Sequence, residues 1–226
     1  MAKITASEVN RLRQMTGSGM MDCKNALVEA EGDFDKAIEI LRKKGQKVAA
    51  KRGDREANEG LVVAKSNEAG NKGVIIKLTC ETDFVAKNDE FSVVANKIAD
   101  TALNSGVSNV DDLKQQAYED GLTIGEKVLE MVGKIGEKID VSALDVIESD
   151  TVVAYNHPGN QVASLVGLNA AGDQVSEAGR DVAMQIAAMN PVAIDQDGVS
   201  QEIIDKEIEI GKDLARQEGK PEAMLE

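Results

Sequence analysis

His157, Cys23 and Cys80 are the side chains best suited to acid–base or nucleophilic work near neutral pH, because imidazole titrates there and a thiolate is a strong nucleophile. A Cys80–His157–Asp83 arrangement can be drawn, yet no local signature of a cysteine hydrolase surrounds any of the three. The two cysteines are far apart and have no CxxC spacing, the pattern of buried thiols in a reducing compartment. A single histidine and two scattered cysteines are too few to hold zinc. Glu81 and Asp83 offer two carboxylates without other ligands, which more simply solvate a loop. Neither GxGxxG nor GxxxxGK[ST] occurs, so the chain is expected to bind no nucleotide itself and to use no cofactor.

Contact, not chemistry, is then the function to look for. Val74, Ile75, Ile76 and Leu78 form an apolar run that reads as a buried strand. A polar loop follows, with Phe84 set between Asp83 and Val85. Aromatics are scarce here: no Trp, two Tyr and three Phe. An aromatic just past a strand end either folds back to anchor its own loop or projects as an interface anchor.

At 226 residues the chain is long enough for a real core in one or two domains. Its 42% apolar and 29% charged residues suit an ordinary soluble protein. Forty acidic against 26 basic residues give a net charge of −14, which repels phosphate backbones and anionic membrane alike. No run of about 18 apolar residues is present, so no membrane span is expected. With no secretion signal in the N-terminal stretch, a cytoplasmic location is expected, or an organelle matrix after removal of a leader.

Taken in order, residues 4–45 read as three short helices. Thr5 and Glu8 have capping-box spacing, and Val9, Leu12 and Met15 then repeat at helical spacing up to Gly17. The second helix opens with Met20 and Met21, one expected in the core and the other free for an adaptable contact, because neighbours on a helix lie about 100° apart. Asp33 caps the third helix, which is expected to stop at Gly45. The basic stretch Arg42, Lys43, Lys44, Lys47, Lys51, Arg52 and Arg55 reads as a favourable helix end followed by a solvated linker. Leu61–Lys65 and Val74–Cys80 flank an Asn/Gly-rich turn and form a hairpin. Helices are expected around Phe91–Ala102, after Ser108-Asn109, and after the capping box Thr123/Glu126.

An internal repeat follows at an offset of about 90 residues. Val152-Val153-Ala154 echoes Val62-Val63-Ala64, and Ser164-Leu165-Val166 echoes Val74-Ile75-Ile76. Val182-Ala183 and Ile186-Ala187 echo Val94-Ala95 and Ile98-Ala99. The copies differ after the second strand, where Glu81–Val85 has only the plain turn Asn169–Asp173 as its counterpart. From Val199 a long helix is expected, then a stop at Gly219-Lys220-Pro221 and a new helix from Glu222 to Glu226 that breaks off, as in a fragment of a longer chain.

The expected fold class is therefore α+β: a three-helix module similar to the ubiquitin-associated type (1–52), two related α/β subdomains (53–140 and 141–190), and the start of a coiled-coil-like helical arm (191–226). A generic adaptor built on the N-terminal module is one functional reading of this layout.

Two segments carry a resemblance to a family. Leu12-Arg13-Gln14-Met15-Thr16-Gly17-Ser18-Gly19-Met20-Met21-Asp22-Cys23-Lys24-Asn25-Ala26-Leu27 and Thr82-Asp83-Phe84-Val85 resemble, in the right order, the signatures of bacterial translation elongation factor Ts. The resemblance implies a guanine-nucleotide exchange factor that makes and breaks no covalent bond and whose partner is the GTPase elongation factor Tu. It implies that Leu12, Met20 and Met21 dock on a helix of the GTPase's nucleotide-binding domain. Thr82, Asp83, Phe84 and Val85 would press on that domain and disturb its magnesium site. The second subdomain, near His157, would hold a β domain of the same GTPase.

Overall fold

The computed structural model describes residues 4–119 and 121–221; the helix expected over Glu222–Glu226 lies outside them. Helix α1 (Ala6–Thr16) begins where Thr5 Oγ1 accepts from the Glu8 amide at 3.3 Å and the Glu8 carboxylate accepts from the Thr5 amide at 2.7 Å. Left-handed Gly17 ends it, and α2 (Met20–Glu29) follows. Helix α3 (Phe34–Arg52) is capped by Asp33, which accepts from the Lys36 amide at 3.1 Å. Val9, Leu12, Cys23, Ala26, Leu27 and Ala37 form the buried centre of these helices, with Phe34, Ile38 and Leu41 around it.

Helix α3 does not stop at Gly45. It runs seven residues further, because Gly45 is a crossing point and not a terminus. A Cβ on Gly45 would stand 2.9 Å from the Leu129 carbonyl oxygen and 3.5 Å from Gly133 Cα, both on α7 (Ile124–Ile135). A Cβ on Gly133 would in turn meet Gly45 Cα at 3.0 Å. Two glycines face each other where the helices cross, and neither has room for a methyl group. The basic stretch is thus helical as far as Arg52, and Arg52 and Arg55 bind Glu81 instead of lining a solvated linker.

Strands β1 (Glu59–Ser66), β2 (Lys72–Cys80) and β3 (Asp140–Glu148) form an antiparallel sheet in the order β1-β2-β3. Val63 pairs with Ile76, and Ile76 with Leu144. The one-turn helix α4 (Asp83–Ala86) follows β2 and leads into α5 (Asp89–Ser105), whose Phe91, Val94, Ala95, Ile98 and Ala102 lie buried in the same core as the sheet. Each large side chain buried here, such as Phe91, Leu78 or Ile98, is worth about 1.5–3 kcal/mol relative to exposure. The short helix α6 (Val110–Gln115) and α7 close the core through Leu113, Ile124, Met131 and Val132.

Strand β3 corrects the expected subdomain boundary at 141, which falls inside a strand of the first sheet. The second hairpin, β4 (Thr151–Asn156) and β5 (Ala163–Leu168), pairs antiparallel and precedes α8 (Asp173–Met189). Ser164 Oγ donates to the Ala183 carbonyl at 2.7 Å and fastens β5 to α8. The hairpin also covers the open edge of β1. The Asn156 side chain accepts from the Ala64 amide at 2.8 Å and donates to the Ala64 carbonyl at 2.9 Å, as a pairing strand would.

The chain through Ala187 is one compact unit, and Ala188 onward is another. The second unit holds a 3-10 turn (Gln196–Gly198) and α9 (Gln201–Gln217), capped by Ser200 and leaving Ile203, Ile208, Ile210 and Leu214 exposed. Among the described residues no helix is long and apolar enough to cross a membrane.

The close crossing has a direct test. Leucine has nearly the helix propensity of alanine, so Gly45→Leu should gain local helicity while forcing α3 off α7. A net loss of about 2 kcal/mol is expected, in the range of core overpacking, read as a lower urea midpoint. An unchanged or higher midpoint would contradict the crossing.

Candidate functional site

The loop after β2 is built on two carboxylates. Glu81 accepts from Arg52 at 2.7 and 2.9 Å, from Arg55 at 3.0 Å, and from the Lys138 amide at 2.6 Å. The Lys138 amide, helped by the Arg52 and Arg55 guanidiniums, holds the Glu81 carboxyl down to about 2. Glu137 answers from the other side: its carboxylate accepts from the Glu81 amide at 3.2 Å, the Thr82 amide at 3.0 Å and the Thr82 hydroxyl at 2.7 Å. The 81–82 and 137–138 segments thus grip each other. Lys138 Nζ reaches the Gly53 and Arg55 carbonyls at 2.7 and 2.9 Å, which ties the end of α3 into the same knot.

Helix α4 leaves this knot as a single turn. Ala86 is buried and Val85 packs against the core, so the remaining two positions face outward. Phe84 is 83% exposed. It does not fold back as a loop anchor. Asp83 beside it accepts from Lys87 Nζ at 2.6 Å, a bond that lowers the Asp83 carboxyl and raises the Lys87 amine. Asn88 then caps α5 by accepting from the Glu90 amide at 2.8 Å.

The N-terminal helices expose a second set of apolar side chains. Met20 and Met21 are 55% and 61% exposed, so neither is the core residue expected of one of them. Met15, expected on the buried face of α1, is exposed as well. Leu12 is fully buried beneath α2 and α3. This corrects its expected place on the docking face: it holds the module together and has no surface to offer. Lys134 links the two surfaces. Its amine binds Glu90 near α4 at 2.6 and 2.7 Å, and its methylenes lie 2.8 Å from where a Cβ on Gly17 would stand.

His157 sits on the exposed β4–β5 turn, its Nδ1 2.9 Å from Tyr155 Oη. Val62 donates its amide to the Asn160 carbonyl at 2.7 Å, which pins that turn to β1. Cys80 is not placed as a nucleophile. Cys80 is fully buried with Sγ 3.2 Å from the Thr82 carbonyl, and burial pushes its thiol up to about 11. Among the described residues no group of three or more His, Cys, Asp or Glu side chains is placed to hold a metal ion. Glu137, Lys138, Arg52 and Arg55 were not singled out by sequence, although the two arginines fell inside the basic stretch.

Comparison with known proteins places the chain in a family. A family model described as Elongation factor TS matches residues 81–226, from the Glu81 loop onward. Elongation factor Ts of Christiangramia forsetii is 57% identical over 226 residues, all of this chain and 81% of that protein. The protein of the same name from Amoebophilus asiaticus is 54% identical over 224 residues, 99% of this chain and 80% of its own length. That of Porphyromonas gingivalis is 45% identical over 223 residues, again 99% and 80%. The chain belongs to the elongation factor Ts family, whose members are translation elongation factors.

The loop has a pH signature. Because the folded-state carboxyl of Glu81 is lowered, its contribution is fully present above the unfolded value of about 4.3 and is lost as pH falls toward about 2. Protection of the Lys138 amide, taken relative to its intrinsic exchange rate at each pH, should therefore fall across that window in the wild type. In Glu81→Gln that protection should be independent of pH over the same range. A wild-type loop indifferent to pH between 4.5 and 2 would show that the carboxylate does not hold it.

Proposed function

We propose that this protein is a guanine-nucleotide exchange factor for elongation factor Tu in the cytoplasm, acting by contact alone and without covalent chemistry. The observation that carries this reading is Phe84, held out from a pinned one-turn helix where it serves no core of its own. Exchange needs no acid, base or metal from the factor. The factor has only to bind the nucleotide-free GTPase better than the GDP form, and linkage lowers GDP affinity by the same ratio. Burying one phenyl ring is worth about 1.5–3 kcal/mol, and each 1.4 kcal/mol is about tenfold in affinity.

Roles follow from exposure. Phe84 and Asp83 press on the GTPase beside its magnesium site, while Thr82 and Val85 hold that pair in place from behind. Met20 and Met21 give an adaptable apolar contact to the nucleotide-binding domain, as suits methionine at a surface that must repack. His157, on its pinned turn, touches a second domain of the partner. The three N-terminal helices act as a module of the ubiquitin-associated kind, the two hairpin-plus-helix units as related subdomains, and α9 as one strand of a helical arm.

Phe84→Ala should slow release of a fluorescent GDP from elongation factor Tu by about tenfold or more at saturating factor, measured by stopped flow, while complex formation weakens much less. Met20→Ala with Met21→Ala should instead raise the half-saturating concentration by about tenfold and leave the maximal rate nearly unchanged. An adaptor would bind without altering release at all. Unchanged release in Phe84→Ala would remove the ring from the mechanism.

A further inference from the structure

We infer that Glu137 is the positioning residue of the exchange loop, fixing the direction in which Phe84 points; the inference rests on the exchange reading above. A four-residue helix cannot hold itself, since nucleation is unfavourable and so few internal bonds follow it. In α4 these are Ala86 to Thr82, Lys87 to Asp83 and Asn88 to Val85. Thr82 stands at the N-cap position but makes no capping bond with its side chain. Its hydroxyl turns the other way, to Glu137 at 2.7 Å. The start of α4 is therefore oriented from outside, by a carboxylate that comes from the connection between α7 and β3. That carboxylate also accepts the amides of Glu81 and Thr82, the last two residues before the helix.

Hydrogen bonds to a charged acceptor are about twice as strong as neutral ones, and three of them converge on one half-buried side chain. Among the described residues, no other side chain accepts from both the Thr82 amide and its hydroxyl. The neighbouring Lys138 sends its amide to Glu81 and its amine to the end of α3. The connection that carries Glu137 is therefore itself anchored on both sides and can serve as a fixed reference for the loop. Glu137 acts through Thr82 and leaves the contact with the partner to Asp83 and Phe84.

The chain has no tryptophan, so Phe84→Trp places a single fluorophore at the tip of the loop. In the isolated full-length protein, Glu137→Ala in this background should increase the amplitude of fast nanosecond depolarisation about twofold or more. Glu137→Gln, whose amide oxygen still accepts from the two backbone donors, should restore most of the order. In GDP release catalysed by the Phe84 protein, Glu137→Ala should lower the maximal rate about tenfold and move the half-saturating concentration less than about twofold. A merely structural role would lower the melting temperature and leave both the anisotropy and the maximal rate of the folded protein unchanged, and that result overturns the inference. If Glu137→Ala does not fold, Thr82→Val, which removes only the hydroxyl bond, must show the same pattern at smaller amplitude or the inference fails. Phe84→Ala run alongside separates the two ideas. Release unaffected by Phe84→Ala defeats the exchange reading, while the anisotropy still decides whether Glu137 fixes the loop.

Discussion

A phenyl ring standing in water forgoes about 1.5–3 kcal/mol of burial and keeps its place only while the backbone beneath it cannot turn inward. Here two carboxylates impose that constraint by holding each other's loops. Glu81 reaches across to the Lys138 amide, and Glu137 reaches back to the Glu81 and Thr82 amides. Each bond pairs an ionised acceptor with a backbone donor, so a slip of either segment strands a charge in a partly buried place. Such a stranded group costs more than the bond itself contributes. The ring is outside because the chain below it has no inexpensive alternative.

The same knot ties the N-terminal helices to the loop. Helix α3 begins in the module, passes α7 with glycine against glycine, and ends with Arg52 on Glu81. It is one continuous helix between the module carrying Met20 and Met21 and the base of the Phe84 turn. Lys134 makes a second, shorter connection between Gly17 and Glu90. A partner that takes hold of the methionines is thus presented with the ring at a set distance. A flexible linker in place of residues 46–55 would make the two contacts separate events, each bearing its own ordering entropy.

Much of this could be read from residue patterns, and the failures have physical causes. Both capping boxes, the Asp33 cap, the β1–β2 hairpin and the glycine that ends α1 were legible because each is local. Gly45 was misread as a helix end because a glycine chosen for close approach looks the same in sequence as one chosen for a turn. Strand β3 was missed because its pairing with β2 slips between Lys77 and Leu78, where Ala143 and Val141 are successive partners and Ser142 is left over. The slip puts buried Val141 and Leu144 three apart and breaks the alternation that announces a strand. Of the candidate contacts, the outward face of Phe84 was left open by the sequence, Leu12 was misplaced by it, and Glu137 carried no signal, since a carboxylate more than 50 residues from the loop it holds is an ordinary surface glutamate until the chain is folded.

The central claim is that the Phe84 ring does its work inside another molecule. Replacing Phe84 with the photoreactive analogue benzoylphenylalanine, irradiating the complex with nucleotide-free elongation factor Tu, and sequencing the cross-linked peptides tests it most directly. The account predicts a cross-link to segments of the GTPase that border its nucleotide and magnesium site. Cross-links confined to the factor's own chain, or to partner surfaces remote from that site, would contradict it.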